Sequence, residues 1–396
     1  MKDNWTKAPI ISFADVISGG TPSTNIQEFW DGDIVWITPA DLSKIKTANI
    51  YTSSRKISKL GLQSSSANLI PENSIVMSSR APIGYFAIPS VAFTTNQGCK
   101  SIVLKQNQNQ NFHYYNFVFN VDRFKEKGEG TTFAEISKKE VEKIEFSLPP
   151  LPQQKKIAQI LTTCDTVIEK TEATIAKYQA MKQGLMHDLF TRGIDIKTGK
   201  LRPKQEDAPE LYKESELGWI PKEWEVKRLD EFLGMRSGDT ITSEQIENSG
   251  EYSVFGGNGL RGFASKYTHN GDYILIGRQG ALCGNITVAT GKFYASEHAV
   301  VVTILDNSNI NWLSEKLHNM NLNQYSEASA QPGLSVNKIQ KIKISLPNEY
   351  EQIKISEKFL SINIRIITEQ SYLSKYQKLK TGLMQDLLTG KVEVKV

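Results

Sequence analysis

The chain of 396 residues is poor in the residue types that build disulfide frameworks and metal centres. Its three cysteines, Cys99, Cys164 and Cys283, lie far apart, and none forms a CxxC pair. Its five histidines are scattered, and no HExxH motif is present. Because structural zinc sites and disulfide frameworks need closely patterned ligands, we expect neither of them in this chain.

Long hydrophobic runs are missing as well. No stretch of 18 apolar residues occurs, and the first five residues (MKDNW) lack the apolar core of a signal peptide. With 39% hydrophobic and 23% charged residues, the composition is that of an ordinary globular protein, long enough for two or three domains. We therefore expect a cytoplasmic protein with no membrane association.

The sequence also lacks the motifs of common catalytic sites. There is no GxxxxGK[ST] loop, no glycine-rich methyltransferase cofactor loop and no Asn/Asp-Pro-Pro-aromatic tetrapeptide. Residues 257–262 match GxGxxG, but strand-like sequence follows them, so we interpret them as a β-turn that presents Asn258 and Arg261. Two acid-x-Lys triplets, at 225–227 and 393–395, are short enough to be chance matches. The sequence thus predicts a non-catalytic chain without a bound cofactor.

The net charge of +4 is mildly basic. This value is compatible with nucleic-acid binding but is lower than a free-standing DNA-binding domain usually shows. If the chain binds DNA, we expect partner subunits to share the phosphate contacts.

An internal repeat organises the chain. Residues 177–191 recur as 375–389 at a constant offset of 198, and the same offset carries Ser147-Leu148-Pro149 onto 345–347 and Gln154 onto Gln352. The sequence between the copies is dissimilar. The repeat predicts two copies of one framework whose intervening parts are free to differ.

Each copy contains a long helix with coiled-coil spacing. Apolar positions alternate in steps of four and three over more than four heptads, and polar residues interrupt both series at equivalent steps, Thr171/Glu369 and Lys182/Lys380. The predicted seam residues are Ile157, Leu161, Ile168, Ile175, Tyr178, Leu185 and Leu189 in the first helix and Ile355, Phe359, Ile362, Ile366, Leu373, Tyr376, Leu383 and Leu387 in the second. Spacing alone does not settle the helix directions, but the alternation of domain and helix favours an antiparallel pair.

The predicted fold class is therefore α+β, with two α/β domains separated by two long helices that form an antiparallel coiled coil with pseudo-twofold repetition. Strand-like runs at 33–38, 74–77, 101–104, 273–276 and 299–304 support the two α/β domains. The predicted boundaries are 1–149 for the first domain, 150–192 for the central helical region, 193–225 for the linker, 226–347 for the second domain and 348–396 for the C-terminal helical region. We expect the linker to be docked, with Trp219 and Trp224 buried.

Loops of both domains carry side chains suited to polar recognition. Arg, Gln and Asn make bidentate contacts to base edges, whereas Lys binds phosphate. The candidate DNA-binding residues are Thr21, Ser79, Arg80, Asn96, Gln97 and Lys100 in the first domain and Arg236, Asn258, Arg261, Lys266, Arg278, Gln279 and Lys292 in the second. Arg80 and Arg278 follow apolar strands at the repeat offset. Such an equivalence also suits a shared structural salt bridge.

Together these features resemble the DNA-specificity subunit of type I restriction–modification systems, over essentially the whole chain. The segments that carry the resemblance are residues 18–24 (SGGTPST), 32–37 (GDIVWI), 218–224 (GWIPKEW), 271–280 (GDYILIGRQG), 331–335 (QPGLS) and the two Leu-Pro-to-helix segments. No single motif is decisive, but their order and duplication are specific.

The resemblance implies two target-recognition domains that each read one half of an interrupted double-stranded DNA site, and conserved helical regions that set the gap between the halves. It also implies two modification (methyltransferase) subunits and two restriction (motor-nuclease) subunits as partners. These partners would carry S-adenosylmethionine, ATP and magnesium and would methylate adenine. Because the two domains differ in loops and length, the site should be asymmetric. A fused modification or restriction enzyme with an unrecognised site and a non-catalytic coiled-coil scaffold are the alternatives.

Overall fold

The computed structural model describes residues 4–128, 134–280, 282–326 and 333–395. Residues 1–3 and Gln331-Pro332, on which some sequence predictions rest, lie outside the described residues. The chain forms two compact units, the first from Met1–Ala173 and Gln370–Val396 and the second from Thr174–Glu369.

The first unit contains two sheets and a strand pair. Its strands are β1 Thr6–Pro9, β2 Ala14–Ser18, β3 Trp30–Ile37, β4 Asn49–Ile50, β5 Arg55–Ile57, β6 Ile75–Ser78, β7 Phe86–Pro89, β8 Phe93–Thr95, β9 Cys99–Leu104 and β10 Glu145–Leu148. Its short helices are α1 Ile10–Phe13, α2 Pro39–Leu42, α3 Lys59–Gln63, α4 Gln110–Phe119, α5 Val121–Lys125 and α6 Lys138–Lys143, and the helix α7 Leu151–Thr191 begins here. The sheet orders are β2-β9-β6-β7-β4 and β5-β3-β8, and β1 pairs with β10.

The second unit repeats this plan. Its strands are β11 Tyr212–Ser215, β12 Gly218–Pro221, β13 Glu225–Arg228, β14 Leu233–Ser237, β15 Tyr252–Gly256, β16 Gly259–Ala264, β17 His269–Asn270, β18 Tyr273–Gly277, β19 Ile286–Ala289, β20 Lys292–Ala295, β21 Ala299–Ile304 and β22 Lys343–Leu346. Its helices are α8 Ile310–Asn319, α9 Val336–Ile339 and the beginning of α10 Glu349–Leu388. The sheet orders are β14-β21-β18-β19 and β16-β15-β20-β17, with β13 paired to β22 and β11 to β12.

The repeated glutamines explain part of the sequence repeat. Gln154 and Gln352 are both buried near the start of a long helix. In each unit the carboxamide donates to a proline carbonyl two residues before the helix, at 2.9 Å, and accepts from the backbone N–H of the asparagine that caps α4 or α8, at 3.0 or 2.8 Å. Because a buried amide needs both bonds, the same residue is required at both places.

The segments of α7 and α10 pack antiparallel within each unit. In the first unit Asp165 Oδ1 lies 2.5 Å from Lys380 Nζ, and Leu161 shares a buried cluster with Leu387. In the second unit the rings of Phe190 and Phe359 lie 5.2 Å apart. Every predicted seam position is buried or partly buried. The predicted α+β fold with internal repetition and antiparallel helix pairing is confirmed.

The connector between α7 and the second domain is docked within the second unit through Glu351. This side chain is 0% exposed, and its carboxylate accepts from both terminal nitrogens of Arg202, from Trp224 Nε1 and from the Ile194 amide. Trp224 is 1% exposed, as expected. The expectation that Trp219 is buried is wrong, because it is 51% exposed. Alternation along β12 turns the neighbouring Ile220 inward and Trp219 outward.

Among the described residues, no helix is both long and apolar enough to span a membrane.

Candidate nucleic-acid interface

The candidate residues of the first unit meet where β6 ends beside the start of β9. These two strands are antiparallel neighbours, so the residues that follow β6 lie next to those that precede and begin β9. Thr21 joins them from another loop, and its hydroxyl donates to Gln97 Oε1 at 2.6 Å. The structure therefore brings all six candidates together, and we call them the first polar edge: Thr21, Ser79, Arg80, Asn96, Gln97 and Lys100.

Two tryptophans hold the loop that carries Thr21. The indole of Trp36 donates to the Gly20 carbonyl at 3.0 Å, and that of Trp30 donates to the Ser23 carbonyl at 3.0 Å. A Cβ atom at Gly20 would lie 2.3 Å from the backbone of Ser66, so only glycine fits this close approach. The indole bonds hold the loop in place, and the close approach to Ser66 is the structural reason for glycine at position 20 of the SGGTPST segment.

The charges of the first polar edge are linked by Glu135. Its carboxylate lies 3.6 Å from Arg80 Nη1 and 3.6 Å from Lys100 Nζ. Burial lowers the pKa of Lys100 from its ordinary value, and the nearby Glu135 partly opposes this effect. Glu135 was not among the predicted residues, because nothing in its local sequence distinguishes it from other surface acids.

The members of the first polar edge differ in exposure. Arg80 and Gln97 are exposed, and Thr21 and Asn96 are partly exposed. Ser79 and Lys100 are buried, at 0% and 5% exposed. The exposed arginine and glutamine are thus presented to solvent above a buried polar layer.

The corresponding edge of the second unit has different chemistry. The predicted turn is shorter than residues 257–262: Asn258 lies in the two-residue turn between β15 and β16, and Arg261 lies within β16 itself. Arg278 and Gln279 follow β18, and Arg278 Nη1 donates to Ser237 Oγ at 3.1 Å. Arg236 is exposed on β14, next to Ser237. A cavity of about 420 Å³ at this edge is lined by Gly257, Asn258, Arg261, Gln279, Gly280, His298 and Gly333.

We call Asn258, Arg261, Arg278, Gln279 and His298 the second polar edge. His298 also lines the cavity, and its Nε2 lies 3.1 Å from Glu297 Oε1. Only the antiparallel contact of β18 with β21 brings this histidine beside Arg278, whose backbone N–H donates to the His298 carbonyl at 2.8 Å.

Lys266 and Lys292 lie elsewhere in the second unit. Both are at the end of the β16-β15-β20-β17 sheet that is opposite to the Asn258 turn, because Lys292 begins β20 and Lys266 follows β16. The Lys266 ammonium lies 5.8 Å from the centre of the Tyr294 ring, and the Lys292 ammonium lies 5.0 Å from that of the Tyr267 ring. They are therefore not members of the second polar edge.

The strand registers revise the equivalence of Arg80 and Arg278. The backbone of Ser79 donates to Gly98 and accepts from Ile136, just as Arg278 donates to His298 and accepts from Leu334. The structural counterpart of Arg278 is therefore Ser79. Arg80 corresponds instead to Gln279, because each is the next residue along the chain and forms an isolated β-bridge. Arg80 forms it with Glu135, and Gln279 forms it with Gly333.

This revision also bears on the alternative of a shared structural salt bridge. Arg80 faces a carboxylate and Arg278 faces a serine hydroxyl, so their described contacts differ. The constant offset of 198 missed the shift because pairing with β9 and β21 makes Ile75–Ser78 equivalent to Ile274–Gly277, which is an offset of 199.

The chemistry available at both edges is hydrogen-bond donation and acceptance. Among the described residues, no group of three or more His, Cys, Asp or Glu side chains could hold a metal ion. Paired domains that present unlike sets of Arg, Gln, Asn and Thr side chains are typical of a recognition protein.

Comparison with known proteins identifies the family. The family model described as the type I restriction modification DNA specificity domain matches residues 2–177 and 221–373, and the chain belongs to this family. The type I restriction enzyme EcoprrI specificity subunit of Escherichia coli is 34% identical over 362 residues, covering 88% of this chain and 85% of that protein. The MjaIX specificity subunit of Methanocaldococcus jannaschii is 32% identical over 246 residues, covering 61% of this chain and 55% of that protein.

A solved structure shows the same fold. The type I restriction–modification S subunit from M. genitalium superposes with a TM-score of 0.67 over 100% of this chain and 98% of that chain, at 17% identity. The predicted assignment as a non-catalytic DNA-specificity subunit is confirmed, and the alternative of a fused enzyme is wrong.

Proposed function

We propose that this chain reads two unlike half-sites of an interrupted DNA sequence, one with each polar edge, and directs adenine methylation and restriction by partner subunits. The observation that supports this proposal is that one scaffold occurs twice with different side chains at equivalent places. Arg80, Gln97 and Thr21 occupy the edge in the first unit, whereas Asn258, Arg261 and Gln279 occupy it in the second. Unlike edges select unlike base pairs, so the whole site is asymmetric.

The exposed side chains have the right chemistry for this role. Arginine donates two hydrogen bonds to guanine, and glutamine or asparagine pairs with adenine, each contact contributing about 1–3 kcal/mol of discrimination. The net charge of +4 is small for a protein that binds DNA alone. Partner subunits that share the phosphate contacts account for this modest charge.

The chain works with other restriction–modification subunits and with DNA. We propose two modification subunits and two restriction subunits in the complete assembly, which operates in the cytoplasm. S-adenosylmethionine, ATP and magnesium belong to those partners in this proposal, and this chain binds no cofactor. The role of the two long helices in setting the spacer between half-sites stays a prediction.

The test is an exchange of recognition domains in the complete system. Residues 1–149 are replaced by the corresponding segment of a relative with a different first domain, and methylated adenines are mapped across the host genome. We expect one half of the methylated sequence to change and the other half to stay. The reciprocal exchange of 226–347 is the matched control and should change the other half only. A change in both halves after either exchange contradicts the proposal.

Single substitutions refine the same test. Arg80→Ala should relax the base preference of one half-site, and Gln279→Ala should relax that of the other, because the two residues occupy equivalent places in different units. Loss of each bidentate contact should reduce discrimination about tenfold to a hundredfold at the affected base pair. If both substitutions affect the same half-site, the assignment of one edge to each half is wrong.

A further inference from the structure

Lys100 of the first unit is a charged residue at a position where the second unit has an apolar residue. It lies in β9, opposite Met77 of β6, whereas the equivalent position in β21 is Val300, opposite Ile276 of β18. Lys100 is only 5% exposed. A buried ammonium costs free energy unless hydrogen bonds and an opposite charge compensate it, so a lysine in place of a valine indicates a specific role.

The Lys100 ammonium connects the parts of the first polar edge. It donates to Ser79 Oγ at 3.2 Å and to the Gln97 carbonyl at 3.1 Å, and it lies 3.6 Å from Glu135 Oε1. The second carboxylate oxygen of Glu135 lies 3.6 Å from Arg80 Nη1. One buried group thus contacts the backbone that carries Gln97 and the carboxylate that faces Arg80.

We infer that Lys100 is a positioning residue for base discrimination by the first unit and that it does not contact DNA phosphate. Its bond to the Gln97 carbonyl fixes the backbone from which the glutamine side chain reaches the DNA. Its pairing with Glu135 keeps that carboxylate where it orients the Arg80 guanidinium. This inference rests on the proposed reading of DNA by the two polar edges, and it replaces the earlier expectation that Lys100 binds phosphate.

The two roles for Lys100 differ in their salt dependence. A lysine that contacts phosphate releases counterions on binding, so its removal reduces the slope of log K against log salt by about 1, uniformly across sequences. A buried positioning lysine leaves that slope unchanged. Its removal instead weakens discrimination at the base pairs read by Arg80 and Gln97.

The experiment compares the complete methyltransferase complex carrying Lys100→Met with the wild-type complex. Affinities are measured for the native site, for single-base variants of the first half-site and for single-base variants of the second, each at several salt concentrations. We expect discrimination in the first half-site to fall about tenfold to a hundredfold, with the second half-site and the salt slope unchanged. A lower salt slope with intact discrimination, or an equal loss at both half-sites, overturns the inference.

Lys105→Met is the matched control. Lys105 directly follows the other end of β9, where its ammonium donates to the Ile11 carbonyl at 2.8 Å, but it is exposed and remote from the polar edge. This variant should keep the wild-type discrimination in both half-sites. If it loses discrimination as Lys100→Met does, the effect belongs to the fold of the unit and the inference fails.

A second substitution covers the case in which Lys100→Met does not assemble. Glu135→Gln retains the shape of the side chain at a partly exposed position and removes only the charge that links Lys100 to Arg80. It should relax the same half-site with an unchanged salt slope, and unaltered base preferences would overturn the inference. A wild-type complex that recognised no split site would instead refute the proposed function.

Discussion

Replacing Arg202 with methionine should strongly destabilise the second unit. The Arg202 guanidinium is 6% exposed and forms two hydrogen bonds with Glu351, at 2.5 and 3.0 Å. Burial works to lower the pKa of Arg202, but the hydrogen bonds and charge of Glu351 raise it overall, so the group is a fixed cation. Without it, the Glu351 carboxylate remains fully buried, and the donors left to it among the described residues are the Trp224 indole and the Ile194 amide.

The size of the effect follows from this burial. Removing one partner of a buried ion pair costs about 3–5 kcal/mol, since the remaining charge is left uncompensated. For a unit of the size of Thr174–Glu369, 1 kcal/mol corresponds to about 2–4 °C in melting temperature, so Arg202→Met should lower it by about 6–20 °C. Peptides that contain the Ile194 amide should also exchange hydrogen faster, because this amide donates to Glu351.

The matched control is Lys343→Met. Lys343 also ties the connector to the second unit, through Glu216 at 2.6 Å, but both side chains are substantially exposed, at 42% and 53%. Exposed pairs contribute about 0–1 kcal/mol. The assay is thermal unfolding of the purified chain together with hydrogen exchange across residues 193–225. If Arg202→Met behaves like Lys343→Met in both measurements, the assignment of Glu351 as the buried anchor of the connector is refuted.

Two further predictions concern the cores of the units. Phe359→Ala should lower the free energy of unfolding by about 3–5 kcal/mol in chemical denaturation, because Phe359 is fully buried against Phe190. The control is the adjacent Leu360→Ala, at a site that is 56% exposed, which should change this free energy by less than about 0.5 kcal/mol. Equal effects of these two changes would contradict the packing. Burial lowers the pKa of His113 to about 3. Between pH 6.5 and pH 3 the unfolded chain therefore binds a proton that the folded imidazole does not. The free energy of unfolding should thus fall with decreasing pH, by up to about 1.4 kcal/mol per pH unit. His113→Gln should flatten this dependence in denaturation curves collected from pH 7 to pH 4.5, and an unchanged slope would show that other groups cause it.

Several features could be predicted from local sequence because their physical cause is local. Heptad spacing identifies α7 and α10, since the period of the apolar residues is a property of the helix itself. β-branched runs identify β6, β9, β18 and β21 for a similar reason. The repeated Ser-Leu-Pro and Gln segments mark one packing requirement that occurs twice.

Other features depend on which residues meet across the fold. Nothing near Lys100 in the sequence shows that it is buried or that Glu135 faces it, because the two are brought together by separate chain segments. The counterpart of Arg80 is Gln279 rather than Arg278, because strand register decides equivalence and the register of β18 on β21 differs by one residue from the offset of the sequence repeat.

The sequence by itself therefore determined the class of fold, the internal duplication and the choice of recognition over catalysis. These rest on periodicity, repetition and residue types. The tertiary structure decided which polar residues form each edge, which lysines are buried or remote from it, and which tryptophan the connector buries. Such properties arise from contacts between residues that are distant along the chain, and their energies depend on burial and partners that no local pattern contains.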